Sequence, residues 1–160
     1  PEELLWKDVP TERVGDVDYL MELIDWDLNL DPEFVKHRHM KPLPVKPVEE
    51  MQAEGYIENW ICYRSTDFSA KELTIQPGAT ANIRDAGAYG FIMMQGHGTV
   101  GTWNVETPAL IRYGQLTSDE FFVSEAAARE GVNITNPSAC DPIVMLKHFG
   151  PGNPDLPAAL

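Results

Sequence analysis

The sequence predicts a mainly β fold, an antiparallel β-barrel of jelly-roll type with an N-terminal helical extension. From Tyr56 onward the chain reads as eight or more short strand-like runs with no long helical pattern between them. Residues 77–100, PGATANIRDAGAYGFIMMQGHGTV, pass from a Pro-Gly turn through a short strand, a small-residue corner and an apolar strand to a Gly-His-Gly turn. That is the rhythm of strands that fold back after a few residues. Before Tyr56, in contrast, apolar residues recur at helical spacing.

A chain of 160 residues is most simply one domain. Its 43% hydrophobic and 9% aromatic content exclude wholesale disorder, and 13 prolines with 12 glycines favour short elements joined by turns. The net charge of −13 repels nucleic-acid phosphates and acidic membranes, so neither is expected as a partner. No apolar run approaches the ~20 residues of a membrane span, and no signal peptide is visible. Cys62 and Cys140 form neither a CxxC motif nor a disulfide framework; Cys62 alternates within a strand-like run as a buried reduced thiol would. A cytoplasmic protein is expected. The start at Pro1 without methionine suggests a chain trimmed, or cut from a longer one.

In order along the chain, Leu4, Leu5 and Trp6 are a candidate anchor in an acidic stretch. Val17, Leu20, Met21, Ile24 and Leu28 share one helical face over residues 16–28, an amphipathic helix expected to lie on another surface. Asp31-Pro32-Glu33 reads as a helix start, and the Pro-rich residues 41–47 end that helix as an extended strap. Residues 49–54 allow one more turn before Gly55. Strands are expected over 56–64, 68–75, 79–83, 89–94, 101–105, 109–114, 120–124, 132–136 and 143–149. Glu125-Ala-Ala-Ala-Arg129 is a helical turn inserted among them, and 150–160 is an irregular tail. The expected division is 1–55 for the extension and strap, 56–150 for the barrel and 151–160 for the tail.

Pro77-Gly78, the strands closing on Gly96-His97-Gly98 and the later Val132–Asn136 run resemble the cupin family. Gly90-Phe-Ile-Met-Met-Gln-Gly96 and Arg112-Tyr-Gly-Gln-Leu-Thr-Ser-Asp-Glu-Phe-Phe122 are similar to uncharacterised bacterial cupins described as glucose- or mannose-6-phosphate isomerase-like. The resemblance covers roughly residues 56–150. It implies a metal held by two His and a Glu in a first motif and by a third His in a second. Aligned on Gly78 and Gly98, the two His positions hold Arg84 and Ala86, and the Glu position holds Phe91 or Gly90. Aligned on Asn136, the last His position holds Val132. None of these coordinates a divalent ion, so no metal or other cofactor is expected at the usual place. A divalent metal on His37, His39 and His148 is the alternative, with His148 expected to point inward by its parity with Val144 and Leu146.

The resemblance places Arg84 toward the barrel cavity, where a guanidinium would clamp a carboxylate or phosphate; an internal ion pair is the other reading. Tyr89, Met93, Trp103 and Lys147 are further ligand-binding candidates, with plain core packing as their alternative. Glu72, Asp85, Glu120 and His148 are candidates for proton transfer. The implied function is binding, or isomerase-like handling, of a small polar or sugar-type ligand. Isomerisation of an aldose to a ketose needs a base and an electrophile, here Arg84 or Lys147 in place of a metal. A non-catalytic module of a larger assembly and a metal-dependent enzyme are the alternatives. A homodimer, or membership of a longer two-barrel chain, is the expected assembly.

Overall fold

Nested antiparallel pairing organises the β structure. In the computed structural model, which describes residues 2–110 and 112–157, the strands are β1 (Leu43–Pro44), β2 (Tyr56–Cys62), β3 (Ser69–Ile75), β4 (Thr80–Ile83), β5 (Tyr89–Gln95), β6 (His97–Val100), β7 (Trp103–Glu106), β8 (Glu120–Val123), β9 (Val132–Thr135) and β10 (Ile143–Phe149). β6 pairs with β7, β5 with β8, β4 with β9 and β3 with β10. These pairs form one long hairpin ribbon whose turn lies between β6 and β7. Rolled up, the ribbon divides into sheets ordered β1-β2-β3-β10-β5-β8 and β4-β9-β6-β7. The fold is a jelly roll.

Side-chain alternation builds the interior. β3 presents Ser69, Lys71, Leu73 and Ile75 inward, and β10 presents Ile143, Met145, Lys147 and Phe149. Register sets Ile75 opposite Ile143, Leu73 opposite Met145 and Lys71 opposite Lys147. One end of the barrel is therefore an aliphatic core, with Ala81, Val100, Val105 and Ile134 from the second sheet. Toward the other end the inward positions become charged and aromatic.

Gly96 and Gly98 close the corner between the sheets. Gly96 has φ +87°, and a Cβ there would lie 2.8 Å from the Pro142 carbonyl. A Cβ on Gly98 would overlap the Thr135 carbonyl, so the backbones approach closely only because there is none. His97 already belongs to β6, and the reversal falls at Gly101 instead of within Gly-His-Gly. The strand expected over 101–105 therefore begins only at Trp103, as β7, because Gly101 and Thr102 form the turn. No described residue of 109–114 is in a strand, and Ile111 lies outside the described residues.

The Pro-rich strap belongs to the barrel. The chain divides as Pro1–His39 and Met40–Leu160, not at residue 55. β1 pairs with β2 at the sheet edge, where Pro44 needs no ladder donor. The short helix Val48–Ala53 buries Met51 completely in the core. The helical turn expected at 125–129 is present as the helix Glu125–Glu130, capped by Ser124. The tail also belongs to the barrel unit through residue 157; Ala158, Ala159 and Leu160 lie outside the described residues.

The first unit contains the short helices Glu2–Leu5, Val17–Glu22, Trp26–Asn29 and Phe34–Arg38. The single helix expected over 16–28 is two helices. Asp16 accepts from Tyr19 N–H, and Asp25 accepts from Leu28 N–H at 3.0 Å and starts a second helix. No residue of either helix is buried. The next helix starts at Phe34, later than expected, because the Asp31 carboxylate turns back to accept from Glu33 N–H.

Candidate functional site

Four charged side chains meet inside the barrel. Glu58, Lys71, Asp85 and Lys147 are 3%, 4%, 3% and 0% exposed. Three of them occupy inward positions on β2, β3 and β10. Asp85 continues the inward parity of Ala81 and Ile83 just beyond β4, so its carboxylate crosses from one sheet to the other. Lys71 Nζ donates to Asp85 Oδ1 at 2.6 Å, and Lys147 Nζ donates to Asp85 Oδ2 at 2.5 Å and to Glu58 Oε1 at 2.7 Å. Glu58 Oε2 lies 3.8 Å from Lys71 Nζ. Two ammonium groups and two carboxylates thus neutralise one another where neither sign survives alone.

Aromatic rings complete the desolvated shell. Lys71 Nζ stands 4.5 Å from the Trp60 ring centroid and Lys147 Nζ 4.5 Å from that of Tyr89. Burial, reinforced by the charges of Asp85 and then Glu58, pushes the Tyr89 phenol well above the ordinary tyrosine range, so Tyr89 stays neutral.

The cluster opens onto a cavity of about 330 Å³ at the barrel mouth. Glu58, Trp60 and Lys71 line it from within, Lys46, Arg84 and Asp155 from the rim. Lys46 pairs with Glu54 at 2.7 Å, a bond that raises its pKa. The Arg84 guanidinium makes one weak bond, Nε to Asn82 Oδ1 at 3.4 Å, and no described carboxylate pairs with it. Its backbone faces outward, because Ile83 and Asp85 take the inward positions. The expectation that Arg84 points into the cavity is corrected accordingly: the side chain reaches the cavity only at its rim.

Of the other candidates, Tyr89 and Lys147 meet Asp85 in the cluster. Met93 is core, 2% exposed, on the inner face of β5. Trp103 is 67% exposed on β7, although its ring leans on Phe121. Glu72 lies on the outer face of β3 opposite Asn59 and Leu146, and Glu120 is exposed on β8. His148 points outward over Gly90, the reverse of its expected orientation, since Lys147 and Phe149 hold the inward parity. His37 is exposed and bonded to Asp31 at 2.6 Å, and His39 is exposed at the end of its helix. Cys62 is half-buried and Cys140 exposed; burial raises the Cys62 thiol pKa.

Glu58, Trp60, Lys71, Lys46 and Asp155 are site residues that the sequence reading misses. For Glu58 and Lys71 a signal exists, since each is a charged residue at the same strand parity as buried neighbours, Tyr56 and Trp60 or Leu73 and Ile75.

The residues do not fit a divalent metal. At the positions implied for ligands, Arg84 is exposed, Ala86 half-buried, Phe91 in the core and Val132 packed against it. The two interior carboxylates are already bound by two ammonium groups, whose charge repels a cation. Among the described residues no group of three or more His, Cys, Asp or Glu is placed to hold a metal ion.

No protein-family model and no curated protein matches the chain. Similar solved structures include an RmlC-like cupin from Ralstonia eutropha, at 9% identity and TM-score 0.46, covering 69% of this chain and 63% of that one. A cupin-2 domain protein from Rhodospirillum rubrum shares 13% identity at TM-score 0.43, over 61% of this chain and 60% of that one. A cupin-2 barrel protein from Rhodopseudomonas palustris shares 13% identity at TM-score 0.44, over 69% of this chain and 70% of that one. The chain spans about three fifths of the first two. The fold is a jelly roll, and these three similar structures are described as cupins. At these identities they add nothing to the strand order and say nothing of the reaction. Among the described residues, no helix is long and apolar enough to cross a membrane.

Proposed function

We propose that the barrel binds a small anionic, hydroxyl-bearing ligand of the sugar-phosphate class in its mouth cavity. The observation that carries this reading is the cavity itself, about 330 Å³, which joins a guanidinium without a carboxylate partner among the described residues at its rim to buried Lys71 and Glu58 at its floor. That volume lies at the small end of ligand sites, the size of a monosaccharide derivative. Arg84 supplies planar, bidentate donors for a phosphate or carboxylate. Lys71 and Glu58 then meet the opposite end of the ligand as a donor and an acceptor. The same two groups are the electrophile and base that moving a proton between adjacent carbons of a hexose phosphate needs, with Lys71 polarising the carbonyl oxygen and Glu58 taking the proton. Lys147 orients Glu58 through its hydrogen bond to Oε1.

Titration calorimetry with glucose 6-phosphate, mannose 6-phosphate, glucose and inorganic phosphate tests the binding, and interconversion of the hexose phosphates after chelator treatment tests the chemistry. Binding of the sugar phosphates in preference to glucose is the expected result. Equal indifference to all four sinks the reading, and activity that disappears on chelation sinks its metal-free form.

One observation favours a second reading, a non-catalytic module: the four buried charges satisfy one another without any ligand. On that reading the cluster is a specificity device of the core, and no sugar phosphate binds.

A further inference from the structure

After β10 the chain turns back across the barrel end. Asp155 Oδ2 accepts from Ala86 N–H at 2.6 Å, one residue along from Asp85 of the ion cluster. Asn153 Nδ2 donates to Ser69 Oγ at 3.2 Å, and Ser69 is the inward residue two before Lys71. Asn153 Oδ1 in turn accepts from Asp155 N–H at 3.0 Å, which ties the two latches to each other. Asp155 lines the mouth cavity with Lys71 and Arg84, while residues 150–154 line a second cavity of about 410 Å³. Gly150 and Gly152 precede the latches in open space, where a Cβ on either would meet no atom within 4 Å, and this leaves the segment room to pivot.

We propose that residues 150–156 are a lid on the barrel mouth, and that Asp155 holds in cis the place an anionic group of the ligand takes. The second part rests on the sugar-phosphate reading of the cavity. The Asp155 carboxylate is exposed and bonded to a backbone donor at the rim of the cavity that Arg84 also lines. A phosphate entering the cavity meets the same N–H and the same guanidinium, and displaces a singly charged carboxylate with a stronger acceptor. The displaced segment then swings on its glycines and opens the way to Lys71. The lid thus narrows the way to the ion cluster when no ligand is present, and a neutral sugar has nothing with which to release it.

The test compares wild type with Asp155→Ala and Asn153→Ala in two measurements. The first is the rate at which methyl acetimidate modifies Lys71, mapped by peptide mass and checked against unchanged thermal unfolding. The second is glucose 6-phosphate affinity by calorimetry. Losing one latch is expected to speed Lys71 modification about fivefold to tenfold in either variant, and Asp155→Ala is expected to tighten glucose 6-phosphate binding by a similar factor. Unchanged modification in both variants overturns the lid. Faster modification with unchanged or weaker binding, in a protein that does bind glucose 6-phosphate, overturns the placeholder role of Asp155. If neither wild type nor variant binds the phosphate while modification accelerates, the sugar-phosphate reading fails and the lid stands.

Discussion

Lys71 and Lys147 stand directly opposite one another on β3 and β10, and the two oxygens of Asp85 bridge them at 2.6 and 2.5 Å. Like charges at a cross-strand pair destabilise a sheet. This pair is held because a carboxylate from the other sheet serves both. Replacing Lys147 by Met leaves Glu58 and Asp85 with a single cation in a dry site. Urea denaturation should show a loss of about 3–5 kcal/mol. The fourfold variant Glu58→Leu, Lys71→Met, Asp85→Leu, Lys147→Met should recover most of that loss, since well-packed apolar groups replace a buried ion cluster at little net cost. A single-variant loss below about 1 kcal/mol would show that water reaches the cluster.

Arg84 separates binding from stability. It is exposed and makes one weak bond, so Arg84→Ala should change unfolding stability by less than about 0.5 kcal/mol. Glucose 6-phosphate affinity should fall by about tenfold or more, the effect of one lost charge-assisted contact. Unaltered affinity in calorimetry would remove Arg84 from the site.

Tyr89 sets an alkaline limit. Its phenol is held neutral in the fold above the ordinary value of 10.0, so the folded state keeps a proton that the unfolded chain releases. The associated stability is complete below pH 10 and falls as pH rises beyond it. Tyr89→Phe should therefore flatten the stability profile above about pH 10 relative to wild type. Parallel slopes for the two proteins in pH-dependent denaturation would contradict the assignment.

Gly98 tests the corner between the sheets. A methyl group there meets the Thr135 carbonyl, and Gly98→Ala should cost about 1–3 kcal/mol through backbone displacement. A neutral result in thermal unfolding would mean that the β6–β9 approach relaxes freely.

Metal removal should leave the fold unaffected. Protein purified without added metal should contain far less than one divalent ion per chain by elemental analysis, with the same melting temperature before and after chelation. A stoichiometric ion would contradict the donor set found in the barrel.

Much of this architecture is legible in the sequence, because the inner and outer faces of β2, β3, β5 and β10 alternate with the period of the chain itself. Orientation is less secure. Parity with Val144 and Leu146 sends His148 inward, yet Lys147 holds the inward place, because a rule that puts apolar residues inside cannot anticipate a lysine buried against two carboxylates.

By itself the sequence determined a mainly β chain of short strands with a helical start. Only the tertiary structure decided that Glu58, Lys71, Asp85 and Lys147, up to 89 positions apart, form one neutral cluster, and that Asp155 bonds Ala86 N–H at the rim of its cavity. The physical reason is one of range. Periodicity and turn chemistry act over a few residues, and one chain carries them in order. Charge compensation acts across space, and it appears only when the rolled ribbon brings β2, β3, β10 and the end of β4 around a common interior.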